Sequence, residues 1–233
     1  MMPSARWIAL CTLLLFQNGL AIFLEQNCGK VFSNRTSGSR EPWLAKILTK
    51  KERKFICSGT LINRLFFFLD YVLTTATCLE NQLELNVCLG NCDANVDGET
   101  EVTTRITHKS YSANSHVNDI GLINLVPDVE YKANIKPICI LLHPEQIWPK
   151  SNFDSTLWSG IEYKPNFVNS TCSGPPCKAI GKALSIPNDN GLFVLQGILS
   201  FRDHRTNAYV YTNVFAFSEW LVANVLDVDI FLS

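Results

Sequence analysis

The chain has 233 residues, 47% of them hydrophobic, and a formal net charge of −1. That is enough apolar material for one large or two small cores. Near-neutral charge gives no electrostatic case for a nucleic acid or an acidic membrane as partner, and the densest basic run, "KILTKKERK" (46–54), reads as a solvated loop.

The N-terminus reads as a secretory signal. Arg6 supplies the positive charge, "WIALCTLLLF" (7–16) is an apolar core too short to span a bilayer, and "GLA" (19–21) offers small residues for a peptidase. Cleavage is expected after Ala21, which assigns residues 1–21 to the signal and removes Cys11. No later run is apolar and long enough for a membrane helix, so a secreted, extracellular chain is expected. Eight cysteines then remain, at Cys28, Cys57, Cys78, Cys88, Cys92, Cys139, Cys172 and Cys177. An even number in a secreted chain argues for disulfides before metal ligands or nucleophiles. The sequons at Asn34 and Asn169 fit the same compartment as glycosylation sites.

Short strands follow in order. "PWLAKILT" (42–49) and "KFICSGTLI" (54–62) are apolar or alternating runs, and "QLELNVCLG" (82–90) alternates with Leu83, Leu85, Val87 and Leu89 on one face. "TEVTTRITH" (100–108) is β-branched, and "DIGLINL" (119–125) and "IKPICILL" (135–142) continue the series. After a polar middle come "GLFVLQGILSF" (191–201) and "AYVYTNV" (208–214). This spacing predicts an all-β barrel or sandwich. The end differs: "FSEWLVANVLDV" (217–228) places Phe217, Trp220, Leu221, Asn224 and Val225 at helical spacing, with Asn213 or Ser218 as cap.

From about residue 28 onward the chain resembles the chymotrypsin/trypsin-like serine proteases. "NCGK" (27–30) resembles the cysteine that tethers the segment ahead of the protease domain, and "EPWLAKI" (41–47) the family's entry strand. "CSGTLIN" (57–63) with "VLTTATC" (72–78) resembles the histidine loop. "HKSYSANSHVNDIGLINL" (108–125) resembles the segment ending in the triad aspartate, at Asp119, and "IKPICI" (135–140) the strand with the tether's partner cysteine. "GILSF" (197–201) and "YVYTNVFAFSEWL" (209–221) resemble the last strands and closing helix. Their shared order is far more specific than any one match. The resemblance implies two packed β-barrels with a cleft between them and a C-terminal helix. It sets residues 22–35 as a tether segment and 36–233 as the peptidase domain.

The family's chemistry needs a serine, an imidazole to take its proton, an aspartate to hold that imidazole, and backbone N–H groups facing the oxyanion. The resemblance keeps the aspartate at Asp119 but sets Thr77 where the histidine belongs, and a hydroxyl is a far weaker base than imidazole at neutral pH. The nucleophile's Cys-x-Gly-Asp-Ser-Gly-Gly-Pro stretch is matched only by "CSGPPCKAI" (172–180), which lacks Asp-Ser-Gly-Gly and offers Pro175 and Pro176 without N–H groups. The activation stretch reads "NRTSGSREPW" (34–43), so cleavage after Arg35 would expose polar Thr36 instead of an apolar anchor. Thr77 and Asp119 are thus expected to be vestigial triad positions.

His108, His116, His143 and His204 read as surface-loop residues rather than a relocated base, and Ser200 matches a position that holds substrate backbone. No cofactor or metal is expected. The resemblance implies the bridges Cys57–Cys78 and Cys28–Cys139. Cys88 with Cys92 and Cys172 with Cys177 read as local disulfides, with a free Cys172 the alternative. "RLFFFLDY" (64–71) reads as an insertion, and the short interval from Trp158 to Cys172 implies a second barrel incomplete across 158–180. The expected function is that of a non-catalytic serine protease homologue binding an extracellular protein, a protease or its substrate. The alternatives are a serine-type endopeptidase whose true sequence restores the missing segments, and a decaying product without function.

Overall fold

A computed structural model describes residues 27–31, 41–63, 70–80, 84–90, 92, 99–126, 129–141, 157–159, 180–203, 205 and 208–225. The signal segment, Asn34, Asn169, Cys172, Cys177, His143 and His204 lie outside them. Six strands close a barrel: β1 (Leu44–Thr49), β2 (Phe55–Asn63), β3 (Asp70–Thr74), β4 (Leu85–Leu89), β5 (Glu99–Thr107) and β6 (Gly121–Leu125), in the order β1-β2-β3-β6-β5-β4, with β1 pairing β4. Every neighbouring pair is antiparallel. Closure satisfies the edge groups that an open sheet would leave for water or another chain.

Ala45, Ile47, Leu61, Val72, Leu73, Val87, Leu122, Ile123 and Leu125 are all fully buried in the barrel's core. β5 alternates more openly: Val102 and Ile106 pack against the core, while Glu101, Thr103 and Arg105 face water. A second sheet holds β7 (Leu157–Ser159), β8 (Ala183–Pro187), β9 (Phe193–Arg202) and β10 (Tyr209–Asn213), in the order β7-β10-β9-β8. Among the described residues this sheet is open, whereas the first is closed. Two short helices complete the set: α1 (Ala76–Leu79), directly after β3, and α2 (Ser218–Val225), entered through a 3-10 turn at Val214–Phe217. Asn213 caps that turn by accepting the Phe215 N–H, and Leu221 and Val225 bury the helix against the shared core.

Three expectations need correction. The described part of the 135–142 run, residues 135–141, does not form a strand: its hydrogen bonds are divided between two bodies. Lys136 and Ile138 donate to Pro42 and Leu61 of the first half, whereas Cys139 bonds with Phe193 and Leu195 of the second. Asp70 and Tyr71, read as the end of an insertion, are strand residues that begin β3, paired with Leu125 and Asn124 of β6, while 64–69 lie outside the described residues. β8 lies in the stretch read as a polar middle, and pairs with β9 from Ala183 to Pro187.

The Cys28–Cys139 disulfide spans 111 residues of sequence and Cys57–Cys78 spans 21. By chain entropy each contributes about 3 to 5 kcal/mol. Gly29 N–H donates to Pro137 and its carbonyl accepts from Phe193, so the tether segment lies between the halves. Gly29 adopts a left-handed φ of 66°, and a Cβ there would stand 2.5 Å from the Phe193 carbonyl oxygen, so only glycine fits.

His108 joins the barrel to the closing helix. Its ring packs edge-on against Phe217, with centroids 5.5 Å apart, and against Trp220 at 5.7 Å. Its Nδ1 accepts the Ser110 N–H at 3.2 Å. Burial, aided by the charge on Lys109, holds the imidazole below its ordinary value of 6.5. The folded state therefore favours neutral His108. That stabilisation is complete above the unfolded value and is lost as pH falls through it towards the lowered folded one. The urea midpoint should drop between about pH 7.5 and pH 5, and should drop less in His108→Gln. An equal drop in both proteins would show that His108 makes no such contribution.

Candidate functional site

The site forms where the first barrel meets β9 and β10. Asp119 sits at its centre, fully buried, two residues before β6. A tight loop aims it inward: Ser112 N–H donates to Val117, the Asn118 side chain donates to Ser110, and His108 N–H donates to Ile120. His116 and Asn118 both adopt left-handed φ values, 54° and 56°. Asn and His tolerate this region better than most residues.

One carboxylate oxygen of Asp119 accepts the Thr77 backbone N–H at 2.8 Å, and the other accepts the Ser200 hydroxyl at 2.5 Å. Its main-chain oxygen accepts the Thr212 hydroxyl at 2.8 Å. Asp119 thus binds α1, β9 and β10 at once. Thr77 follows the first residue of α1, whose cap Thr75 accepts the Cys78 N–H. The Thr77 side chain does not reach the carboxylate. It bonds the Tyr111 hydroxyl at 2.9 Å. Burial pushes the Tyr111 phenol above its ordinary value; the Thr77 bond offsets part of this, and the charges of Asp119 and Glu80 add to it. Tyr111 is therefore neutral at physiological pH, and the pair is a neutral hydroxyl–hydroxyl contact.

His116 lies close by. Its Nδ1 stands 3.8 Å from the Asp119 carboxylate, and its ring stacks on Phe201 with centroids 4.5 Å apart. It lies on a loop, as its reading as a surface-loop residue expects, and the left-handed turn brings its ring towards Asp119. A His-x-x-Asp spacing with Asn before the aspartate was the available signal. Tyr111 and Thr212 carried no motif and were not foreseen as partners of the site.

The chain enters β8 beside this cluster. Ser58 N–H donates to the Ile180 carbonyl at 2.8 Å, and Gly181 N–H donates to Leu199 at 2.7 Å. Gly181 has φ 84°, and a Cβ there would lie 2.0 Å from the Ser58 carbonyl oxygen. The Lys182 ammonium pairs with Glu41 at 3.1 Å. Cys57–Cys78 brackets the Thr77 turn, Cys28–Cys139 ties the tether, and Cys88 is bonded to Cys92. Among the described residues no group of three or more His, Cys, Asp or Glu side chains could hold a metal ion. No described helix is long and apolar enough to cross a membrane.

The Trypsin family model matches residues 31–158, more than half of the sequence. The chain belongs to the trypsin family. It is 30% identical over 149 residues to CLIP domain-containing serine protease B9 of Anopheles gambiae, covering 51% of this chain and 36% of that protein. It is 34% identical over 121 residues to the clotting factor G beta subunit of Tachypleus tridentatus, covering 49% and 37%. Likeness to the inactive CLIP domain-containing serine protease A28 of Anopheles gambiae is 33% over 110 residues, covering 42% and 28%. The trypsin-family chain thus spans little more than a third, or less, of these relatives' lengths.

Ser200→Ala removes one of the two hydrogen-bond donors to the buried carboxylate. A loss of about 2 kcal/mol is expected, measured by urea denaturation with circular dichroism. A loss under about 0.5 kcal/mol, the range of an ordinary surface substitution, would mean that the bond contributes nothing.

Proposed function

We propose that this chain is a secreted, non-catalytic serine protease homologue that acts by binding another extracellular protein. The observation that carries the proposal is the Thr77–Tyr111 contact. Where the motif order sets the family's imidazole, a hydroxyl is tied to a second hydroxyl at 2.9 Å. Neither can accept a proton from a serine at neutral pH. Asp119 is left as a carboxylate whose donors are an amide and a hydroxyl. The lack of an Asp-Ser-Gly-Gly run in "CSGPPCKAI" (172–180) supports the same reading for the nucleophile. On this reading Thr77 and Asp119 are vestigial triad positions.

Residues 1–21 would be the signal peptide, 22–35 the tether and 36–233 the protease-like domain, with glycans on Asn34 and Asn169. Binding is assigned to the closed first barrel, the better-preserved half. Likeness to a protease named inactive supports the loss of chemistry, and likeness to a clotting-factor subunit supports a setting in extracellular protease cascades. The partner would then be a protease or its substrate.

The full chain, expressed with its own N-terminus, should be recovered from medium and should not react with a serine-directed fluorophosphonate probe under conditions that label trypsin completely. Labelling that disappears in Ser173→Ala or Ser200→Ala would establish the rival reading, a serine-type endopeptidase. Retention in cells without any soluble secreted form would favour a decayed product.

A further inference from the structure

Among the described residues, His116 is the one group able to carry a positive charge within 4 Å of the buried Asp119 carboxylate. Asp119 accepts hydrogen bonds from Thr77 and Ser200, but neither partner neutralises its charge. A buried imidazole nitrogen without a partner is costly, and an N–H there turned to the facing carboxylate relieves that cost. The two nitrogens of His116 have different surroundings. Nδ1 is buried, faces Asp119 and has no hydrogen-bond partner among the described residues, while the side chain as a whole remains 29% exposed. Nε2 is therefore the nitrogen that water reaches.

The separation of 3.8 Å is too long for a hydrogen bond. Closing it requires about 1 Å of ring movement. The left-handed backbone at His116 and Asn118 holds the ring over the carboxylate from only three residues away.

We propose that His116 and Asp119 form a substitute imidazole–carboxylate pair, with Nδ1–H turned to Asp119 and the Nε2 lone pair presented to solvent as a nucleophile towards small activated acyl groups. The carboxylate fixes the tautomer and balances the charge that the ring acquires. Nε2 attacks the carbonyl carbon of an activated aryl ester. The bond from that carbon to the aryl oxygen breaks, and the phenolate leaves with the electron pair. Water then attacks the acyl carbon, the carbon–nitrogen bond breaks, and carboxylic acid is released as the imidazole is restored. The net change is ester plus water to acid plus phenol. The proposed function denies serine-dependent peptidase chemistry; this ester turnover uses no serine, so it goes beyond that function and stands whether or not a fluorophosphonate reacts.

Nitrogen-15 NMR of the full chain at about pH 8, where imidazoles are neutral, reads the tautomer directly. Wild type should show His116 protonated on Nδ1, and Asp119→Asn should move the proton towards Nε2. Diethyl pyrocarbonate with peptide mapping should modify His116 about tenfold faster in wild type than in Asp119→Asn. p-Nitrophenyl acetate hydrolysis should fall to the background rate in His116→Ala. If Asp119→Asn fails to fold, the wild-type tautomer alone decides. A proton on Nε2 in wild type overturns the proposal, as does equal modification of His116 in two folded proteins.

Discussion

The buried Asp119 carboxylate is the constraint on which the meeting of the two halves depends. It holds the Thr77 amide of α1 and the Ser200 hydroxyl of β9, while its main chain holds the Thr212 hydroxyl of β10. Removing the carboxylate would strand two donors at a dry interface, the Thr77 amide and the Ser200 hydroxyl, and each stranded group costs about 1 to 3 kcal/mol. Those hydrogen bonds alone give the fold a reason for an aspartate at that position. Its presence is therefore no measure of catalysis, even in a fold where it can serve catalysis.

The same reasoning applies to the neighbours of Thr77. Cys57–Cys78 fixes one side of its turn, and the bond from its own amide to Asp119 fixes the other. Neither restraint involves the side chain. The backbone of α1 can thus persist while the side chain changes from imidazole to hydroxyl, which then finds Tyr111. On the proposed reading, loss of the base would cost the fold little, because the barrel is held by its closed hydrogen-bond circuit and its buried aliphatic residues.

Much of the fold was legible in the sequence where alternation was strong. β1, β2, β4, β5, β6, β9 and β10 each fall on a run read as a strand, and α2 follows the spacing of Leu221 and Val225. The misses have physical causes. Residues 135–141 are apolar because they are buried between two bodies, and burial alone does not separate a connector from a strand. β8 ends in Pro187 and is only half-buried, which weakens its periodicity. Asp70 is polar yet fully buried, satisfied by the Val129 N–H and the Tyr131 hydroxyl, so the start of β3 looked like a loop. Within the site, motif order named Thr77, Asp119 and Ser200. It could not place His116, because its approach to Asp119 depends on two left-handed residues and a contact with Phe201 from far along the chain.

The claim that Asp119 is retained as a joint between the halves is tested most directly by native-state hydrogen exchange on Asp119→Ala. If the carboxylate joins α1 to β9, amides of Thr77 and Ser200 should exchange at least about tenfold faster than in wild type, equivalent to about 1.4 kcal/mol, while those of β1 and β2 change far less. Unchanged protection at both residues in a folded variant would contradict it.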